Sequence, residues 1–121
     1  MIIQITNKSK NFYAHLGKVF GSREVQRATG DRFYDDDDKT WFIYYDKGNP
    51  AAFVSIQDNV IKNVWSENRD LLVSVLKEVN KKVSVSESIV PVVFKDEYEK
   101  AGYSYIGNGF KNFIKIRGGR Q

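Results

Sequence analysis

Cysteine is absent from the 121 residues, and histidine occurs once, at His15. The first absence excludes disulfides, thiolate metal sites and cysteine nucleophiles, and one histidine without cysteine makes a poor zinc site. Long apolar runs are missing too: nothing approaches the roughly 20 residues that a membrane-spanning helix needs. The opening MIIQITNKSK has no basic region ahead of its apolar residues and no small-residue cleavage site, so no secretory leader is expected. A reducing, cytoplasmic setting is the default expectation. Glycine is absent from the whole stretch between Asn59 and Gly102.

What is present is a chain 41% hydrophobic and 14% aromatic. That is enough apolar material for one core, and too aromatic for a disordered chain. One domain over residues 1–121 is expected. The net charge of +4 is unevenly spread: residues 1–30 carry about +4, residues 31–58 about −4, and residues 111–121 about +4 with no acid among them. Basic ends around an acidic centre suit a phosphate-bearing partner, and they equally suit ordinary solubilising charge.

The spacing of apolar residues gives the order of elements. Ile2, Ile3 and Ile5 predict a short strand or the lead into a helix. Phe12, Leu16, Val19 and Phe20 recur at helical spacing up to Gly21, and a second short helix is expected from Ser22 to Gly30. His15 lies one position off the apolar stripe, at its boundary, with an acid–base role as the sharper alternative. Asp35, Asp36, Asp37 and Asp38 predict a solvated loop, because adjacent carboxylates repel and gain nothing from burial. The run also offers steering of a cationic substrate, but it lacks the spacing of a calcium loop.

TWFIYYDKGNPAAFVSI predicts a β-hairpin turning at DKGNP, and VIKNVW predicts a third strand after the turn QDN. From Leu71 to Val79 the period changes to that of an amphipathic helix, with Ser66 or Asn68 as its cap. One or two strands are expected in KKVSVSESIVPVV, one of them through Val83–Val85, with Pro91 limiting regularity. FKDEYEKAG predicts a short helix stopped by Gly102. The chain closes as a hairpin across Gly107, Asn108 and Gly109. A mostly antiparallel α+β fold is therefore expected.

EYEKAGY at residues 97–103 resembles the segment "Phe-Tyr-Glu-Lys-Leu-Gly-Phe" frequent in the GNAT superfamily of N-acetyltransferases. Tyr98, Glu99, Lys100 and Gly102 match, and Tyr103 stands for the closing Phe. GNPAAFVSI and YIGNGFKNFIKI are similar to that family's central hairpin and closing strands, and the element order agrees over most of residues 10–117. The resemblance implies a GNAT-like α+β fold and transfer of an acetyl or acyl group from a CoA thioester, acetyl-CoA foremost, to a small-molecule or protein amine. It implies pantetheine contacts at Val64 and Trp65, and Tyr98 as general acid for the leaving thiolate. Its alternative is a GNAT-like module without catalysis that binds protein or nucleic acid.

The chain departs from the family where the glycine-rich diphosphate loop belongs, at VWSENRDLLVSVL. Ser66, Asn68 and Arg69 are the remaining candidates for phosphate contacts, through amides at a helix start and one guanidinium. Glu67 is the nearest carboxylate to serve as base, and it also suits a helix start. Tyr98 also reads as a packing residue alongside Phe94 and Ala101. Trp41, Phe42, Tyr44, Tyr45, Tyr103, Tyr105, Phe110 and Phe113 form alternating aromatic stripes. With Lys111, Lys115, Arg117 and Arg120 interleaved, the C-terminal hairpin is a candidate nucleic-acid platform.

Overall fold

The computed structural model describes residues 2–6, 39–47 and 49–118. The two helices expected between Ser9 and Gly30, His15, the aspartate run and Arg120 lie outside them. Seven strands and two α-helices follow in order among the described residues: β1 (Ile2–Thr6), β2 (Thr40–Asp46), β3 (Asn49–Gln57), β4 (Val60–Ser66), α1 (Arg69–Lys82), β5 (Ser88–Pro91), α2 (Lys95–Lys100), β6 (Ser104–Asn108) and β7 (Phe113–Arg117). A 3-10 turn over Val92–Phe94 joins β5 to α2. The first four strands form an antiparallel meander in the order β1-β2-β3-β4, and the last three form a second antiparallel sheet in the order β5-β7-β6.

Strand alternation decides which face each aromatic takes. Phe42, Ala52 and Val54 turn to the side covered by α1, where they join Leu72, Val75, Leu76 and Val79 in one buried cluster. Trp41, Ile43 and Phe53 turn to the opposite side and form a second cluster, with Trp65 packed against it. Each fully buried aliphatic of α1 contributes about 1.5–3 kcal/mol of transfer free energy, which anchors the helix across the sheet.

One irregularity shapes β4. Ser55 pairs with Asn63 but Ile56 pairs with Ile61, so Lys62 is an extra residue in the ladder. The bulge shifts the alternation that VIKNVW predicts. Ile61 and Val64, three apart, both reach the main core, and Asn63 turns inward on the far side. There the Asn63 Oδ1 accepts from Ser55 Oγ at 2.8 Å and from Lys39 Nζ at 3.1 Å. Lys39 is itself 3% exposed, with its ammonium 5.5 Å from the Trp41 ring.

Two sequence expectations need correcting. Val83–Val85 is not a strand: α1 runs to Lys82, Val83 N–H closes it on Val79 O, and the chain crosses to β5 with Val85 O accepting from Gly118 N–H. Alternating Val and Ser satisfies the β pattern there, yet none of the described strands pairs with it. The second correction concerns the last turn, which spans residues 109–112 rather than Gly107 to Gly109; the positive φ falls on Lys111 (54°), and Gly107 and Asn108 stay within β6. Of the two caps expected for α1, the structure has Asn68, its side chain accepting from the Asp70 and Leu71 amides.

Tyr103 ties the two halves together by donating its hydroxyl to Leu76 O at 2.8 Å. Burial raises its pKa. Below pH 10 the phenol is protonated in both folded and unfolded chains. Above it only the unfolded chain ionises, so stability falls as pH rises, by up to about 1.4 kcal/mol per pH unit. Thermal melts above pH 10 are expected to show this slope in the parent and a flatter one in Tyr103→Phe; equal slopes would exclude Tyr103 as its source.

Candidate functional site

The two sheets meet at β4 and β5. At one end the strands are joined: Ser86 N–H donates to Asn59 O at 2.7 Å, and Ile61 N–H donates to Ser88 Oγ at 2.9 Å. Beyond Ser88 no backbone hydrogen bond among the described residues joins them, and each belongs to its own sheet. The result is a gap in the backbone pairing between Val64–Ser66 and Val90–Pro91.

The residues at that gap come from α1 and α2. Val92 N–H donates to Asn112 O, on the β7 side, so by strand alternation the Pro91 carbonyl faces the gap. Tyr98 donates its hydroxyl to that carbonyl at 2.9 Å and is 1% exposed. Next to it, Glu97 is buried and accepts from Arg69 Nη1 at 2.7 Å. The same Nη1 donates to Val93 O at 2.7 Å, and the guanidinium stands 5.5 Å from the Phe94 ring. The Arg69 side chain remains 53% exposed, and its other nitrogens make no hydrogen bond to the described residues.

Four of the seven positions of EYEKAGY have a physical reason. Glu97 holds Arg69, and Tyr98 caps the gap side of β5. Gly102 (φ 94°) ends α2 in a Schellman motif, with Tyr103 N–H on Tyr98 O and Gly102 N–H on Glu99 O. Tyr103 then pins β6 to α1.

The amides of Asn68, Asp70, Leu71 and Leu72 at the start of α1 are taken by the chain itself. Asn68 N–H donates to Ser66 Oγ at 2.9 Å, Asp70 N–H to Asn68 Oδ1 at 3.0 Å, and Leu72 N–H to Asn68 O at 3.2 Å. Ser66 Oγ also bonds Asn68 O. With no glycine to form an open nest, a phosphate at this helix start meets the free donors of Arg69 rather than an amide cradle. Glu67 is exposed; its backbone N–H is tied to Ala51 O at 3.0 Å, and its carboxylate makes no bond to the described residues.

The structure thus brings Val64, Trp65, Ser66, Asn68, Arg69 and Tyr98 to one end of the gap. Val64 is buried in the core, Trp65 is half-buried, and Glu67 points to solvent beside them. Sequence reading missed the buried Glu97 partner of Arg69, 28 residues away, and the Lys39–Asn63–Ser55 contact. Neither has a local spacing signal.

No protein-family model and no curated protein matches the sequence. The fold does have a counterpart among solved structures. The chain is similar to the crystal structure of an acyl-CoA N-acyltransferase from Pseudomonas aeruginosa, with a TM-score of 0.67 and 13% identity, covering 100% of this chain and 99% of that one. At that identity the likeness is one of fold, and the fold is GNAT-like α+β. Among the described residues no helix is long and apolar enough to cross a membrane.

Proposed function

We propose that the chain is an N-acyltransferase that takes its acyl group, acetyl foremost, from a CoA thioester held in the gap between β4 and β5. The observation that carries this reading is the gap itself: two strands joined at one end and unpaired at the other, in a GNAT-like fold. The pantetheine arm lies along Val64 and Trp65, where unpaired backbone groups accept an extended chain. The phosphates lie against the open nitrogens of Arg69, with Ser66 and Asn68 shaping the turn beneath.

The acceptor amine attacks the thioester carbonyl carbon and the C–S bond breaks. Tyr98 hands its hydroxyl proton to the departing thiolate, releasing its bond to Pro91 O as it does so. The ammonium proton of the acceptor leaves to Glu67 through water, which suits an exposed carboxylate at the end of β4. Two side chains and one gap suffice for the proton balance.

Calorimetric titration with acetyl-CoA, CoA and pantetheine tests the reading. Saturable micromolar binding of all three is expected, and Arg69→Gln should weaken CoA by about ten- to a hundredfold while sparing pantetheine, which has no phosphates for Arg69 to hold. Failure of acetyl-CoA and CoA to bind the parent protein would sink the enzyme reading. The second reading, a binding module of the same fold without catalysis, is favoured by the self-capped start of α1 and would then stand.

A further inference from the structure

We infer that the outer face of the β5-β7-β6 sheet is a binding surface for single-stranded nucleic acid, independent of acyl transfer. Alternation along β7 puts Phe113, Lys115 and Arg117 on the face turned away from the core, since Ile114 and Ile116 are buried. These three positions span about 13 Å. At one end the turn adds Phe110, 75% exposed, with Lys111 Nζ 5.4 Å from its ring centroid.

The strand beside them carries small side chains opposite the cations. Ser104 pairs with Arg117 and Gly107 with Lys115, so opposite the two cations β6 places a hydroxymethyl group and a glycine, and the bulge between them adds Ile106, 40% exposed. A Cβ added at Gly107 would meet nothing within 4 Å. The surface is therefore a lane with cations along one side, small residues and the exposed Ile106 along the other, and an aromatic ring at the end. On the far side of β7, Ile89 lies opposite Lys115 and is 54% exposed.

Charge decides the partner. Residues 101–118 contain Lys111, Lys115 and Arg117 and no acid, and none of the three cations is in an ion pair among the described residues. Glu87, exposed just before β5, makes none with them either. Unpaired cations spaced along a strand suit a repeating phosphate chain, and exposed rings beside small residues suit unstacked bases. Pairing of the β6 edge with a second copy is opposed by its five-residue length and by the bulge at Ile106, both of which blunt an edge.

Fluorescence anisotropy with a short labelled oligo-dT, near about 50 mM salt, is the test. Saturable binding is expected, with log K falling against log salt at a slope of about −2 for three neutralised phosphates. Lys111→Gln/Lys115→Gln/Arg117→Gln should bring that slope close to zero. Phe110→Ala should weaken binding about five- to a hundredfold and leave the slope unchanged. All these side chains are at least partly exposed, so thermal melts of the variants are expected to match the parent. No saturable binding would overturn the proposal, as would unaltered affinity in Phe110→Ala. Polyglutamate competing as well as an oligonucleotide of equal charge would assign the surface to an acidic protein and equally overturn it.

Discussion

Tyr98→Phe is expected to lower kcat by about a hundredfold to ten-thousandfold while KM for the acyl donor changes little. The substitution removes one oxygen and leaves the ring that fills the space beside Phe94 and Ala101. The lost atom faces the gap and holds the only proton that Tyr98 can give. A second consequence accompanies the first: the Pro91 carbonyl loses its donor, which costs about 1–3 kcal/mol where water cannot replace it. The two effects separate by measurement. Steady-state kinetics read the proton donor, and denaturant midpoints read the capped carbonyl. A loss of stability with kcat unchanged would assign Tyr98 to packing alone and leave the leaving thiolate to another acid.

The second large effect belongs to Arg69 and Glu97. Removing the guanidinium by Arg69→Met strands a carboxylate that is 5% exposed. For a wholly buried pair that costs about 3–5 kcal/mol. Arg69 is half in water, which already screens the pair, so about 1–3 kcal/mol is the expected loss. Arg69→Met/Glu97→Leu should recover most of it, because an apolar pair of similar volume has no stranded charge. Urea midpoints across the four proteins of the cycle give the coupling. Single effects that add to within about 0.5 kcal/mol would show that the two side chains do not depend on one another. The cycle also bears on function. If Arg69 holds phosphates, the double variant regains stability without regaining affinity for CoA.

Much of this fold is legible in the sequence. The aromatic run from Trp41 to Tyr45, the turn at Asp58 and Asn59, and the 3.6 spacing of Leu72, Val75, Leu76 and Val79 are local signals, and each corresponds to the expected element. EYEKAGY is legible for a related reason. A helix stop needs a residue free to take φ near 94°, and Gly102 supplies it within a few residues of the helix it ends.

Local signals fail where the deciding partner is distant. Val83–Val85 has the alternation of a strand, but a strand also needs an edge to pair with, and β7 pairs with Ser88–Pro91 instead. The bulge at Lys62 follows from how β3 and β4 match lengths while Ile61 and Val64 both reach the core. The start of α1 shows the same division. Its lack of glycine is plain from the sequence. Whether its amides stay open is not, since that depends on where the Ser66 and Asn68 side chains turn.

The sequence by itself determined β2, β3, β4, α1 and α2, the stop at Gly102 and the positive charge of the last strand, because each is set by residues within a turn or two of one another. Tertiary structure alone decided that β4 and β5 part beyond Ser88, that Tyr98 caps a carbonyl at the mouth of that gap, and that Arg69 is held by Glu97. These depend on burial and on hydrogen bonds between groups far apart in the chain, and no local spacing encodes them.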